Sequence, residues 1–225
     1  MTVAALLLLS DGRFPAGGHA HSGGAEAAVK AGRVHDAASM AAFLTGRLHS
    51  TGLTAAALAA AAAAGCPCGA LEEAADARTP SAALRATSRR LGRQLLRAAL
   101  AAWPHPDLDH LRAAHPGGAH QPVVLGTAAR AAGLTPAQAA AVAAHESVNG
   151  PATACVRLLG LDPYQVAAVL ARLAPQLDAV TAAAVDAALD ATAHNDVDRL
   201  PAASAPLLDL YAEQHSSWKV RLFAS

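Results

Sequence analysis

The sequence predicts an all-α protein. Of its 225 residues, 53% are hydrophobic but only 3% are aromatic, so the apolar surplus consists mainly of alanine and leucine. Alanine and leucine are the best helix formers, whereas strands favour β-branched and aromatic residues. No segment alternates apolar and polar residues for long enough to predict a strand. We therefore expect a globular bundle whose helices approach one another closely through small side chains.

Capping residues mark where several helices begin. A threonine or aspartate precedes a proline at the first helical position in Thr79-Pro80, Thr135-Pro136 and Asp162-Pro163. Gln138 and Gln165 follow the second and third of these caps by three residues, and each is expected to return a hydrogen bond to the backbone of its cap.

Glycine and proline indicate where helices end or bend. Gly133 and Gly160 are placed to end the preceding helices in a left-handed turn, and Pro151 is expected to kink the helix that contains it. We predict about ten helices, with helical segments at residues 2–10, 24–31, 37–50, 52–64, 69–76, 80–103, 122–132, 136–159, 163–173, 175–191 and 204–219.

Two segments are predicted to be loops. Residues 11–24 contain five glycines and a proline and connect the first two helices. Residues 103–122 contain four prolines, four histidines and two adjacent glycines. Because proline and glycine interrupt helices, we expect a flexible loop at 104–121, which is either a domain boundary or a crossover within one domain.

The charge balance argues against nucleic-acid binding. Seventeen basic residues oppose 17 acidic ones, and charged residues make up only 15% of the chain. A nucleic-acid-binding protein normally shows a basic excess. A weakly charged, near-neutral surface favours association instead, so we expect a homo-oligomer or a subunit of a complex.

Cysteine usage and hydropathy predict a cytoplasmic location. Cys66, Cys68 and Cys155 form no disulfide framework, which is typical of a reducing compartment. The apolar run at 3–9 is too short to span a bilayer. It also lacks the basic residue that precedes the apolar region of a signal peptide. We expect no membrane association.

Three segments, in order along the chain, resemble one known family. They are residues 6–26 (LLLLSDGRFPAGGHAHSGGAE), 84–96 (LRATSRRLGRQLL) and 221–225 (RLFAS). The first combines a leucine-rich helix with a phenylalanine-proline-x-glycine turn, small polar residues and a glutamate. Together the segments resemble the urease accessory protein F family (UreF), a family of nickel-insertion chaperones.

The resemblance implies a fold and a function. It implies that residues 1–225 form one helical domain and that 104–121 is a crossover within it. It implies a nonenzymatic factor, a homodimer, that bridges a second accessory protein (D or H) and a nickel-carrying GTPase (G) and helps insert nickel into apo-urease. It further implies no tightly bound cofactor, with nickel only in transit.

The C-terminal segment is the first candidate partner-binding site. Trp218, Leu222 and Phe223 are three of the few large side chains, spaced as neighbours on a helix, with Arg221 among them. Leaving each in water forfeits roughly 1.5–3 kcal/mol relative to burial, so the segment must dock on its own body or on a partner. We expect it to be mobile alone and to become ordered in a complex.

The glycine-rich segment is the second candidate. His19 and His21, with Ser22 and Glu26 nearby, form either a partner-recognition surface or a transient nickel contact. In an extended backbone both imidazoles would point to the same side. The alternative is that these are loop residues whose glycines simply allow tight packing.

Basic residues form the third candidate. Arg85, Arg89 and Arg93, continued by Arg97, recur every four residues, which places them on one helix face. They are either a docking ridge for acidic groups or a solvated face neutralised by nearby carboxylates. By resemblance, Arg157 is expected to help grip the GTPase.

Metal binding supplies the alternative function, a histidine-rich metal-storage or metal-sensing protein. Cys66-Pro67-Cys68 offers soft ligands but lacks the second ligand pair of a structural zinc site. Histidines also recur every five residues from 105 to 120, a spacing that matches neither a helix face nor a known ligand signature. His19, His21, Cys66 and Cys68 are weak candidates for metal ligands, and we expect only weak, poorly saturating nickel binding by His19, His21 and the histidines at 105–120.

Catalytic motifs are missing from the sequence. No nucleophile, base and orienting residue form a recognisable set, and no glycine-rich loop ends in Gly-Lys-Ser or Gly-Lys-Thr. We therefore predict that the protein is not an enzyme.

Overall fold

A computed structural model describes residues 3–224 of the chain. Within that range every long regular element is an α-helix and no strand is present, so the all-α prediction is confirmed. The helices are α1 (Val3–Ser10), α2 (Ala25–Lys30), α3 (Ala37–Arg47), α4 (Leu53–Ala64), α5 (Cys68–Ala77), α6 (Ala82–Ala102), α7 (Pro106–Ala114), α8 (Gln121–Ala131), α9 (Pro136–Leu159), α10 (Pro163–His194) and α11 (Pro206–Ser216). Thr2, at the predicted start of the first helix, lies outside the described residues.

The predicted capping residues mostly act as expected. At α9, Thr135 Oγ1 accepts a hydrogen bond from the Gln138 backbone N–H at 3.2 Å, and Gln138 Oε1 accepts one from the Thr135 N–H at 2.9 Å. At α10, Asp162 accepts from the backbone N–H of Tyr164. The predicted cap of α6 was wrong by two residues. Ser81, and not Thr79, caps this helix, because Ser81 Oγ accepts a hydrogen bond from the Leu84 N–H at 3.1 Å.

Two predicted breaks between helices do not occur. A π-helical segment, Leu48–Gly52, joins α3 directly to α4, with no loop between the two helices. Helix α10 continues through Pro175 for 32 residues, so its predicted division was wrong. Helix α9 also contains an internal proline, Pro151, and its predicted bounds, 136–159, are confirmed. An internal proline costs about 3 kcal/mol in an isolated helix. Packing of α10 along α4 and α9 offsets that cost.

Helix α4 forms the centre of the bundle, packed against α8, α9 and α10. Its alanines are almost completely buried. Gly126 of α8 faces it so closely that an added Cβ would clash with the backbone carbonyl oxygen of Ala59. Small residues therefore let these helix backbones approach to contact distance, as the composition predicted.

The segment predicted as a loop at 104–121 contains helix α7. His105 caps this helix, with Nδ1 accepting from the Asp107 N–H at 3.2 Å, and Leu108 and Leu111 are buried in the core. The loop prediction was wrong for Pro106–Ala114, because the prolines flank the helix and start it instead of interrupting it.

Helix α10 leaves an apolar face exposed. Among the described residues it alone is long and apolar enough to cross a membrane, a judgement from length and composition only. Only 22% of its most apolar 18-residue window is buried within the protein. The helix also carries charged residues, including Arg172 and Asp178. A single helix of this kind is weak evidence for a membrane span.

Candidate functional site

The C-terminal segment folds back onto the body of the protein. Helix α11 ends at Ser216, so Trp218, Leu222 and Phe223 do not lie on one helix face as the sequence spacing suggested. Phe223 is buried and Trp218 is half-buried, whereas Leu222 remains 55% exposed. The Ala224 N–H donates to the carbonyl oxygen of Ala20 at 2.8 Å. The segment is thus docked in the free chain, contrary to the expectation that it is mobile alone. Ser225 lies outside the described residues.

Glu26 of α2 holds this segment in place. Its Oε1 accepts from the Leu222 N–H at 2.7 Å, and its Oε2 accepts from the Phe223 N–H at 3.0 Å and lies 2.8 Å from Nε2 of His215. Burial alone would raise the pKa of Glu26, but the hydrogen bonds from His215, Leu222 and Phe223 outweigh it and lower the pKa. The carboxylate form of Glu26 is therefore the one that the docked segment stabilises.

Ser22 and the glycines beside it position Glu26. The buried Ser22 Oγ accepts from the Glu26 backbone N–H at 3.3 Å in the first turn of α2. Gly23 and Gly24 have φ angles of 57° and 90°, in the left-handed region that favours glycine. The sharp turn into α2 thus places the glutamate under the C-terminal segment.

Aromatic rings complete the site. The Arg157 guanidinium carbon lies 4.9 Å from the centre of the Phe223 ring, and Lys30 Nζ lies 3.7 Å from the centre of the Trp218 ring. The rings of His215 and Trp218 are 4.8 Å apart. Such cation–ring contacts contribute roughly 0.5–1 kcal/mol at exposed sites. The structure therefore brings Arg157 and Phe223, two of the candidates, together.

Sequence reasoning missed two residues of this site, His215 and Lys30. His215 is buried and precedes Trp218 by three residues, so helical spacing marked it as a neighbour of that ring. Lys30 is at the end of α2, one turn beyond Glu26, where a cation is favourable next to the helix C-terminus.

His19 and His21 do not share a side. Residues Gly18–Ala20 form a 3₁₀ turn, which leaves His19 exposed and buries His21. Burial, followed by the charge of Arg90, lowers the pKa of His21 to about 4. The prediction that both imidazoles face one way was wrong, because the backbone here is turned and not extended.

The arginine ridge is largely engaged within the protein. Arg89 Nη2 donates to Asp76 Oδ2 at 2.6 Å, and Arg85 Nη1 donates to the carbonyl oxygens of Thr79 and Pro80 at 2.7 and 2.8 Å. Arg93 donates to the carbonyl oxygen of Gly117. Asp76 also lies 3.0 Å from Nε2 of the buried His120. This geometry supports the second interpretation of these arginines, a helix face neutralised by nearby carboxylates, over a docking ridge.

The thiols of Cys66 and Cys68 contact different side chains. Cys66 Sγ lies 3.2 Å from Thr192 Oγ1, and Cys68 Sγ lies 3.9 Å from Thr127 Oγ1. Burial raises the pKa of the Cys68 thiol, which disfavours the thiolate that binds metal. Within residues 3–224, no group of three or more His, Cys, Asp or Glu side chains is arranged to hold a metal ion.

Comparison with known proteins identifies the family. The sequence profile of the UreF family matches residues 34–174. The chain is 43% identical to the urease accessory protein UreF of Mycobacterium sp. (strain JLS) over 225 residues, which cover 100% of this chain and 99% of that protein. It is 42% identical to the protein of the same name from Mycobacterium marinum and 37% identical to that from Mycobacterium tuberculosis H37Rv, with the same coverage. The chain therefore belongs to the UreF family of urease accessory proteins.

Proposed function

We propose that this protein acts in urease maturation as a nonenzymatic, cytoplasmic factor that bridges the accessory protein D or H and the GTPase G. Membership of the UreF family gives it a role in urease maturation, and the bridging role is our proposal. Its observational support is the C-terminal segment, which Glu26 fixes against α2 at three hydrogen bonds.

The docked segment presents a surface suited to the GTPase. Val220 and Leu222 are 86% and 55% exposed, and the exposed Arg221 lies between them. An ordered apolar patch with an arginine is typical of interaction sites, since arginine forms paired hydrogen bonds to carboxylates. Because Glu26 fixes the backbone, this patch is presented with little further ordering cost on binding.

A bridge needs a second surface, which we assign to α1. Val3, Leu7 and Leu8 are 68%, 64% and 47% exposed on this short helix, which is unusual for three large apolar side chains. We propose that the accessory protein D or H covers them. The exposed face of α10, including Leu189, is the corresponding proposal for a homodimer interface.

Nickel enters this proposal as cargo. The exposed His19 and the cysteines are not arranged as a fixed ligand set, and delivery needs release as much as capture. Nothing in the geometry of residues 3–224 favours the alternative of a metal store.

Pull-down experiments with the purified partners test the proposal. Arg221→Ala with Leu222→Asp changes two exposed side chains but keeps the backbone hydrogen bonds to Glu26, and it should abolish capture of the GTPase. Leu7→Asp with Leu8→Asp should abolish capture of D or H and leave GTPase capture intact. The matched control is Arg97→Ala, an exposed arginine on α6. Both double variants capturing both partners as well as wild type would refute the bridging role.

A further inference from the structure

A cavity of the protein lies beside α6. It has a volume of about 580 Å³ and is bounded by α4, α6, α11 and the segment at 21–24. This volume is within the range of about 300–1,000 Å³ that small-molecule sites occupy. Its apolar wall includes Leu58, Leu84, Leu91 and Leu208.

The cavity wall carries an excess of positive charge. Arg47, Arg78, Arg90 and Arg221 reach it, whereas Asp209 is its one carboxylate among the described residues. The guanidinium of Arg78 is already engaged in the fold, because it donates to backbone carbonyl oxygens, including those of Pro201 and Leu200. Asp209 accepts a hydrogen bond from the Ser81 N–H, and among the described residues it forms no ion pair with the remaining arginines.

Arg47 and Arg90 are the least satisfied of these cations. Among residues 3–224, Arg47 makes one hydrogen bond, from Nε to the Ser147 carbonyl oxygen at 2.8 Å. Arg90 makes one, from Nη2 to Thr87 Oγ1 at 3.0 Å, and its Nε is buried without a partner in the described part of the chain. Neither forms an ion pair among residues 3–224. Each guanidinium has five N–H donors, so most remain available.

Partial burial makes these unpaired guanidinium groups costly. Burial lowers the pKa of Arg47 to about 10. Glu146 lines an adjoining cavity with Arg47, but it accepts from Gln121 Nε2 at 2.9 Å, and burial raises its pKa to about 7. Glu146 is therefore only partly ionised near neutral pH. A buried cation without a paired anion is unfavourable, and a bound anion would remove that cost.

Gly23 keeps the guanidinium of Arg47 uncovered. It lines the cavity, and a Cβ added there would lie 3.4 Å from Arg47 Nη2 and 2.9 Å from Pro151 Cγ. A side chain at this position would clash with Pro151 and would lie in contact with the guanidinium. The glycine therefore leaves room for a ligand beside Arg47.

We propose that this cavity binds a small molecule through an oxyanion group, a carboxylate or a phosphate, held by the guanidinium groups of Arg90 and Arg47. Charge-assisted hydrogen bonds from arginine to such groups are among the strongest in proteins. The apolar leucines of the wall would contact the remainder of the molecule. This site adjoins the surface that we assign to the GTPase, because Arg221 reaches both, but Arg47 and Arg90 are not part of that surface.

Thermal unfolding of the full-length protein tests the proposal with inorganic phosphate and with acetate, against chloride at matched ionic strength. A ligand that binds only the folded state raises Tm with a saturable dependence on its concentration. We expect such a rise with phosphate or acetate. Arg90→Gln and Arg47→Gln should each weaken the apparent affinity by about tenfold or more, since each removes charge-assisted hydrogen bonds. Arg97→Gln, an exposed arginine of α6 outside the cavity, should bind as wild type does.

A second measurement covers the case in which a variant does not fold. In wild-type protein with ¹⁵N-labelled arginine, the Nε–H resonance of Arg90 should shift saturably with the same anion. Equal responses to chloride, phosphate and acetate would overturn the proposal, as would unchanged binding in both glutamine variants or an unmoved Arg90 resonance. Because no partner protein is needed, this outcome is independent of the bridging role.

Discussion

Glu26 and His215 lie 189 residues apart in the chain, yet Oε2 of the first is 2.8 Å from Nε2 of the second in a buried contact. The same carboxylate accepts the N–H groups of Leu222 and Phe223. One side chain on α2 thus fixes both the end of α11 and the segment that follows it. The surface that we assign to the GTPase depends on this link.

Replacing this carboxylate should release the C-terminal segment. In Glu26→Gln one acceptor oxygen becomes an NH₂ donor, which leaves the backbone N–H of either Leu222 or Phe223 without an acceptor at a cost of about 1–3 kcal/mol. Hydrogen exchange should show residues 217–224 losing protection while α4 and α8 keep theirs. Glu73→Gln, an exposed glutamate without such bonds, is the control. Unchanged protection in Glu26→Gln would mean that Glu26 does not hold the segment.

Acid should release the segment as well. Because the pKa of Glu26 is lowered from its ordinary 4.5, its contribution to stability is present above pH 4.5 and is lost as the pH falls through the lower folded value. Trp218 fluorescence, isolated in a Trp103→Phe background, should report this transition below pH 4.5. The transition should be absent when Glu26→Gln is added. A transition that persists there would assign it to another group.

The lowered pKa of His21 predicts a second loss of stability on acidification, which begins at a higher pH than the loss caused by Glu26. Its pKa is lowered from 6.5 to about 4, so the unfolded chain takes up a proton between these values and the folded chain does not. Stability should therefore fall between pH 6.5 and 4. Chemical denaturation of wild type and His21→Gln across this range should show a shallower decline in the variant. Parallel curves would contradict the assignment.

Reversing a charge on the arginine ridge should destabilise the fold, because these arginines are engaged within the protein. Arg89→Glu replaces a 2.6 Å bond to Asp76 with repulsion beside the contact between Asp76 and His120. Both partners are partly exposed, so the loss should be about 1–2 kcal/mol. Arg97→Glu should change the free energy of unfolding by less than about 0.5 kcal/mol. Equal melting temperatures for the two variants would refute the structural role of Arg89.

Gly92 should not tolerate a methyl group. A Cβ at this position of α6 would clash with the backbone carbonyl oxygen of Ala119, which cannot move aside as a flexible side chain can. We expect Gly92→Ala to cost about 1–3 kcal/mol in thermal or chemical unfolding. Gly46→Ala on α3, where the added methyl meets no atom within 4 Å, should instead stabilise by about 0.5–1 kcal/mol. If Gly92→Ala were the more stable variant, the close approach of α6 to the backbone at Ala119 would be contradicted.

The sequence by itself determined the features that depend on neighbouring residues. Alanine and leucine dictate helices through local propensity, and the Thr135–Gln138 box marks the start of α9 because a cap and its partner are three residues apart. The three segments at 6–26, 84–96 and 221–225 were enough to indicate the family.

Tertiary structure decided what depends on residues far apart in the chain. The sequence named Glu26 and Phe223 as candidates but gave no sign that one binds the other, because no local rule pairs residues 197 positions apart. The same holds for Pro175, where packing against α4 and α9 outweighs the local tendency to break a helix, and for Arg89, which only the fold brings to Asp76. Short-range propensities set the elements, and burial and charge pairing across the bundle set the site.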